Sequence, residues 1–194
     1  MGAIAIIPAR GGSTRIPKKN IRDFHGKPII AYSIETAQKS GLFDRIIVST
    51  DSEEIERVAW QYGAEVLTRS ADMAHNDIGT QAILRYVLDE QLGLRHGLAC
   101  CIYPTAPLML EEDLLTGYRL VGEYHTHRYA MSVGDAPLAD AGQWYWGWVS
   151  SFVTGLPLIA TQTAIVPIPA ARVCDINTFD DWSRAEELYK KLKG

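Results

Sequence analysis

Short apolar runs alternate along the chain with longer stretches in which apolar side chains recur every three or four positions. The first run, Ala3 to Pro8, is apolar on both faces, which predicts a strand buried between layers. From Pro28 to Lys39, Ile30, Ile34 and Ala37 share one face and Gly41 lies beyond the end, the pattern of a helix and its stop. Arg45 to Ser49 is a β-branched run and predicts a second strand. The acid-rich segment Asp51 to Glu54 opens a helix at the end where the helix dipole favours negative charge. Ile55, Val58, Ala59 and Tyr62 then follow at helical spacing, and Gly63 stops them. Glu65 to Leu67 reads as a short strand. Thr80 to Leu92 reads as a helix with a stripe of Ile83, Leu84, Val87 and Leu88, and Glu111 to Gly122 as another. Leu98 to Tyr103, Tyr129 to Val133, Gln143 to Val149, Ile165 to Ile168 and Arg172 to Ile176 read as strands. A closing helix, Asp180 to Leu192, turns Trp182, Ala185, Leu188, Tyr189 and Leu192 inward. This alternation predicts an α/β layered domain with a mostly parallel sheet.

A chain of 194 residues is one domain, long enough to bury a core without staples. With 47% hydrophobic and 22% charged residues it is neither a disordered chain, a collagen nor a coiled coil. The net charge of −4 argues against nucleic acid or an anionic membrane as a partner, so any phosphate-bearing ligand needs a local basic patch. No apolar run approaches the roughly 20 residues of a membrane span, and the N-terminus lacks a signal peptide's basic lead. The three cysteines, Cys100, Cys101 and Cys174, have no metal-binding spacing and read as buried, reduced thiols of a cytoplasmic protein. His25, His75, His96, His125 and His127 show no ligand spacing with a carboxylate or thiol; His125 and His127 read as a surface-loop pair. Trp144, Trp146 and Trp148 alternate along one strand and predict packing under a helix or at a subunit contact.

In such a sheet, ligands bind outside the carboxyl ends of the strands. The segment after the first strand, Arg10-Gly11-Gly12-Ser13-Thr14-Arg15-Ile16-Pro17-Lys18-Lys19-Asn20, concentrates cations, two glycines and two hydroxyls in an otherwise acidic chain. Close backbone approach, short donors and positive charge are what gripping a polyphosphate requires. The segment is neither a Walker loop, because no Gly-Lys-Ser/Thr ending follows, nor a dinucleotide Gly-x-Gly-x-x-Gly loop.

Ile6-Ile7-Pro8-Ala9-Arg10-Gly11-Gly12-Ser13, Ile16-Pro17-Lys18-Lys19-Asn20 and Gly26-Lys27-Pro28 resemble the opening of the acylneuraminate cytidylyltransferases, which make CMP-activated nonulosonic acids. Val48 to Ile55, Tyr62 to Val66 and Asp175 to Trp182 continue the resemblance in order. Cys101 to Pro107 and Asp140 to Gly147 are similar to the pseudaminic acid cytidylyltransferase branch. The resemblance implies a three-layer nucleotidyltransferase (Rossmann-like) fold, with a mostly parallel central sheet, in a single domain spanning 1–194. It implies transfer of CMP from CTP to a sugar acid such as pseudaminic or N-acylneuraminic acid, with release of pyrophosphate and use of Mg²⁺. Two alternatives stay open: a CTP-binding module with little transferase activity, and a nucleotidyltransferase for a different sugar.

By the same resemblance, Lys19, Arg10 and Arg15 are the catalytic candidates. Ala9, Arg10, Gly11, Gly12, Ser13, Asn20, Arg69 and Thr80 are nucleotide-binding candidates, and Asp72 to Thr80 would close over the nucleoside. Tyr103, Thr105 and Gln143 are assigned to the sugar side. Asp175 and Asn177 match the metal pair, with an amide where the family has a second carboxylate; two apart on an extended strand, they would point the same way. Thr14 stands where many members carry Lys, and Arg15 is the expected replacement for that charge. Between Val133 and Asp140 the chain is much shorter than the family, whose members carry there a dimerisation arm and a carboxylate-binding arginine. The expectation is a core without its arm, a weakened case for a homodimer, and a sugar pocket completed by Arg128 or a partner subunit.

Overall fold

The first strand, β1 (Ala3–Pro8), has Ala3, Ala5, Ile6 and Ile7 fully buried, as expected of a strand covered on both faces. The computed structural model describes residues 2–75, 77–135 and 139–194. After β1 the basic segment leads to a small hairpin of β2 (Asp23–Phe24) and β3 (Lys27–Pro28). Its turn residues His25 and Gly26 have φ of 50° and 90°, the left-handed pair that a tight hairpin favours. Then come α1 (Ile29–Ser40), β4 (Phe43–Thr50), α2 (Glu53–Gln61), β5 (Glu65–Thr68) and α3 (Thr80–Arg85), which continues as a wider helical turn through Tyr86–Gln91. β6 (Leu98–Ile102) precedes α4 (Glu111–Tyr118), similarly extended through Arg119–Glu123. β7 (Tyr129–Gly134), β8 (Asp140–Trp148), α5 (Val149–Val153), β9 (Thr163–Ile168) and α6 (Phe179–Lys193) complete the chain.

Seven strands form one sheet in the order β5-β4-β1-β6-β8-β7-β9. Only β8 runs antiparallel to its neighbours. On one face Ile30 and Ile34 of α1, Ile55 of α2 and Leu114 of α4 cluster with Trp144 and Trp146 of the sheet. On the other, Leu84 of α3, Val87 and Leu88 of its extension and Phe152 of α5 cluster with Ile6 and Tyr145 of the sheet. The three-layer expectation holds. Trp144 and Trp146 lie under α4, as packing predicted: a Cβ on Gly117 would come within 2.5 Å of both indoles, so the bare Cα lets the helix sit on them.

A third, smaller cluster joins Ile16, Phe24, Ile29, Tyr32, Ile176, Trp182 and Ala185. It ties the basic loop and the hairpin to α6. Two local readings differ from the sequence expectation. Arg172 to Ile176 is not a strand: it begins in a tight turn at Ala170–Arg172 and then crosses the carboxyl ends of the sheet. The backbone oxygens at its two ends are taken by side chains, Arg172 by Gln143 and Ile176 by Lys19, so neither needs a ladder partner. Val149 opens α5 rather than ending a strand. All three cysteines are free; Cys100 and Cys101 are buried, but Cys174 is only half-buried. The connection from β7 to β8 is closed by Gly134 N–H donating to Ala139 O at 2.7 Å. The missing-arm expectation falls partly on Ala136, Pro137 and Leu138, which lie outside the described residues. No helix among those described is long and apolar enough to cross a membrane.

Candidate functional site

From β1 the chain moves outward to β4 and β5 on one side, then returns to β6 on the other. The β1/β6 boundary is therefore the switch point where an α/β sheet opens a crevice outside its carboxyl ends. A cavity of about 430 Å³ opens there. Arg10, Arg15, Lys19 and Arg69 all line it, and none of the described residues lining it is acidic. Such a wall is built for an anion.

The basic loop is held from three sides. Ile16 is fully buried in the α6-side cluster. The Asn20 side-chain amide donates to Arg10 O at 2.9 Å, closing the loop on itself. Gly11 N–H donates to Asp51 Oδ1 at 2.8 Å. A Cβ at Gly11 would stand 2.9 Å from Ser52 Cβ, so glycine is required by close approach to the β4–α2 turn. Lys18 caps the loop with a left-handed φ of 54°. Lys19 Nζ then donates to Ile176 O at 2.6 Å. Burial, followed by the charges of Arg15 and Arg10, pushes the Lys19 ammonium below the usual lysine range, against the opposite pull of Asp175.

Arg69 is 4% exposed. Its guanidinium donates to Ser49 O at 2.7 Å, and its backbone N–H donates to Thr50 O at 2.7 Å. Burial lowers its affinity for the proton, with Asp51 opposing. Thr80 lies opposite, its hydroxyl 3.0 Å from the Tyr103 hydroxyl. Tyr103, Pro104 and Thr105 line the end of the cavity beyond β6.

Most residues singled out in the sequence meet here: Arg10, Ser13, Thr14, Arg15, Lys19, Asn20, Arg69, Thr80, Tyr103, Thr105 and Asn177. Ala9, Gly11, Gly12, Gln143 and Asp175 do not line the cavity. Ala9 is fully buried beneath the loop. Gln143 is 3% exposed and donates to Arg172 O at 2.6 Å, so it fixes the crossing segment instead of facing a sugar. Arg128 stands at the amino end of β7, the far end of the sheet, where it lines a separate surface cavity with His125, His127 and Trp148. It cannot complete the sugar pocket within this chain. The segment Asp72 to Thr80, expected over the nucleoside, brings His75 and Ile78 to the cavity, although neither is singled out by the sequence. Ile83 joins them from the first turn of α3, where its helical spacing reads only as core.

Asp175 and Asn177 are adjacent although no strand holds them. The Asn177 amide donates to Asp175 Oδ2 at 2.6 Å, and its Oδ1 accepts from Arg15 at 2.9 Å. Among the described residues no cluster of three or more His, Cys, Asp or Glu could cage a metal. One carboxylate and one amide oxygen are hard donors that suit Mg²⁺, an ion usually held by one or two carboxylates together with substrate phosphates.

A family described as cytidylyltransferase matches residues 4–134. Pseudaminic acid cytidylyltransferase from Campylobacter jejuni is 31% identical, over 98% of this chain and 97% of its own length. That alignment runs over 225 positions against 194 residues here, so the relative carries residues with no counterpart in this chain. CMP-N,N'-diacetyllegionaminic acid synthase from Legionella pneumophila is 39% identical over 59% of this chain and 50% of its own. Among solved structures, CMP:2-keto-3-deoxy-manno-octonic acid synthetase complexed with CTP superposes with a TM-score of 0.78, covering 99% of this chain and 100% of that one at 16% identity. The fold, the placement of the basic loop and these likenesses agree: the chain belongs to the cytidylyltransferase family, alongside the CMP-nonulosonic acid synthetases.

Proposed function

We propose that this protein transfers the cytidylyl group of CTP to the anomeric hydroxyl of a nonulosonic acid, pseudaminic or N-acylneuraminic, and releases pyrophosphate in the cytoplasm. The observation that carries the reading is the cavity at the β1/β6 switch point, lined by four cations and by no described acidic residue. Arg10, Arg15 and Arg69, with the hydroxyl of Ser13, hold the triphosphate. Ile78 and Ile83 offer the base an apolar surface. Lys19 is fixed by its bond to Ile176 O and stabilises charge developing on the transferring phosphoryl. Tyr103 and Thr105 receive the sugar acid. Asp175, with the Asn177 amide oxygen, holds Mg²⁺, which neutralises phosphate charge when bound. The short β7–β8 connection supports a core without a dimerisation arm.

The test is pyrophosphate release from CTP, UTP, ATP and GTP with pseudaminic, N-acylneuraminic and deoxy-manno-octulosonic acids. Release confined to CTP plus a nonulosonic acid is the expected result. CTP binding without release from any acceptor would leave only a nucleotide-binding module. Release with no preference for CTP would overturn the reading entirely.

A further inference from the structure

The cavity's Tyr103 begins a chain of hydroxyls that runs from the site to the neighbouring strand β8. Its hydroxyl lies 3.5 Å from the Tyr145 hydroxyl, with the two rings edge-to-face at 5.7 Å between centroids. The Tyr145 hydroxyl in turn donates to Asp140 Oδ2, and Asp140 Oδ1 accepts from Gly142 N–H at 2.8 Å. Tyr145 is 4% exposed and lies outside the cavity. Asp140 lines a second, surface cavity of about 250 Å³. The hydroxyls therefore bridge the interior site and the solvent edge.

Their polarity is consistent. Tyr145 gives its proton to the carboxylate, so its oxygen accepts from Tyr103. The Tyr103 proton being used there, Tyr103 accepts from Thr80 at 3.0 Å or from whatever hydroxyl enters the cavity. Burial first, and the nearby Asp140 charge with it, raises both phenols above the usual tyrosine range, so both stay protonated and able to accept and donate at once.

The arrangement also depends on a local irregularity. Asp140 and Tyr145 are five apart in β8, so a regular strand would put them on opposite faces and roughly 16 Å apart. In the sheet, Met131 pairs with Tyr145 while Val133 pairs with Asp140, so β8 carries a bulge between the two residues. Gly142 supplies its left-handed turn at φ 63°. The bulge folds the carboxylate back over the phenol.

We propose that Tyr103, Tyr145 and Asp140 form a proton exit for the transfer reaction, an inference that rests on the function proposed above. The sugar's O–H bond breaks as its oxygen bonds to the α-phosphorus. The proton passes to Tyr103 as the Tyr103 proton moves to Tyr145 and the Tyr145 proton to the Asp140 carboxylate. The bond from the α-phosphorus to the bridging oxygen breaks, its electron pair leaves with pyrophosphate, and Asp140 returns the proton to solvent. Tyr103 touches the substrate; Tyr145 and Asp140 act through it.

The test compares the wild type with Tyr145→Phe and Asp140→Asn, following single-turnover pyrophosphate release in mixtures of H₂O and D₂O and CTP affinity by calorimetry. Asn keeps one acceptor oxygen, which can serve Gly142 N–H, and turns an amide N–H to the Tyr145 hydroxyl, so it holds the turn but has no second acceptor and is a far weaker base. A relay predicts a curved dependence of the wild-type rate on deuterium fraction. It predicts a rate loss of about tenfold or more and a linear dependence in both variants, with CTP affinity held within about twofold. A linear wild-type dependence, or variants that keep the wild-type rate, would overturn the relay while leaving the transfer reading intact. Variants that lose CTP affinity as much as rate would make the chain a tether for the bulge and overturn it too. A wild type that releases no pyrophosphate with any acceptor would bring down the transfer reading and the relay with it.

Discussion

Lys19 and Gly11 show how differently two loop residues earn their places. Lys19 is fixed at one end by Ile176 O and is flanked by Arg10 and Arg15, so the cavity stays strongly positive without it. Its loss should therefore fall on the transition state more than on the ground state. Lys19→Ala is expected to lower kcat by about 100-fold or more while CTP affinity changes by only a few-fold. Steady-state kinetics set beside calorimetry will check this, and an equal loss in both would reduce Lys19 to a binding residue. Gly11 was legible in the sequence as a glycine that lets backbone approach an anion. In the fold it is instead the point where the loop meets Ser52, and its N–H is already given to Asp51. Gly11→Ala should push the loop off the β4–α2 turn. We expect CTP affinity to fall about tenfold with global stability lowered by about 1 kcal/mol or less, read by calorimetry and urea unfolding. Retained affinity would show that the loop shifts as a unit without harm.

Elements with a strong period were readable: every long strand and helix of the sheet stands within a few residues of its expected place. What the sequence hid were elements too short to show a period and segments whose hydrogen bonds come from side chains. The hairpin β2–β3 has two residues per strand, and α5 has barely more than one turn. Arg172 to Ile176 looks like a strand by composition, yet Gln143 and Lys19 satisfy the carbonyls at its two ends from outside. The same tertiary contacts shape the site: burial keeps Gln143, and strand direction keeps Arg128, away from the switch-point cavity. α6 matters beyond its own length, since its cluster anchors Ile16 and hence the basic loop. Its N-terminus is a capping box in which the Thr178 hydroxyl accepts from Asp181 N–H at 3.2 Å and the Asp181 carboxylate accepts from Thr178 N–H at 2.7 Å. Thr178→Ala should cost about 1 kcal/mol in denaturant unfolding. The Thr178 hydroxyl, with the Asn177 and Thr178 amides, holds the Asp181 carboxyl below the usual aspartate range. A carboxyl depressed in the folded state stabilises above its unfolded value, so this contribution is present at neutral pH and is lost as pH falls through the acid range. Thr178→Ala should therefore show a shallower loss of stability on acidification than the wild type. Parallel curves would mean that the box does not couple to α6.

At the scale of the whole molecule, a chain of net charge −4 gathers four cations around one cavity, with Asp175 near Lys19 and Asp51 near Arg69 just outside its lining. That balance predicts how metal and nucleotide divide the work. With Arg10, Arg15, Lys19 and Arg69 all lining the cavity, CTP should still bind in EDTA, weakened by about tenfold or less, while pyrophosphate release should need Mg²⁺. Asn177 is where the division can be tested, because its amide bridges Arg15 and Asp175. In Asn177→Asp, two carboxylates stand together and one more negative charge faces the cavity. Two readouts should then move in opposite directions: Mg²⁺ titrated into the CTP complex should bind about tenfold more tightly, and CTP in EDTA should bind more weakly. A gain for metal without a loss for metal-free CTP would mean that the Arg15 guanidinium simply follows the new carboxylate. No change in either would remove position 177 from the metal site and leave Asp175 as its only protein ligand.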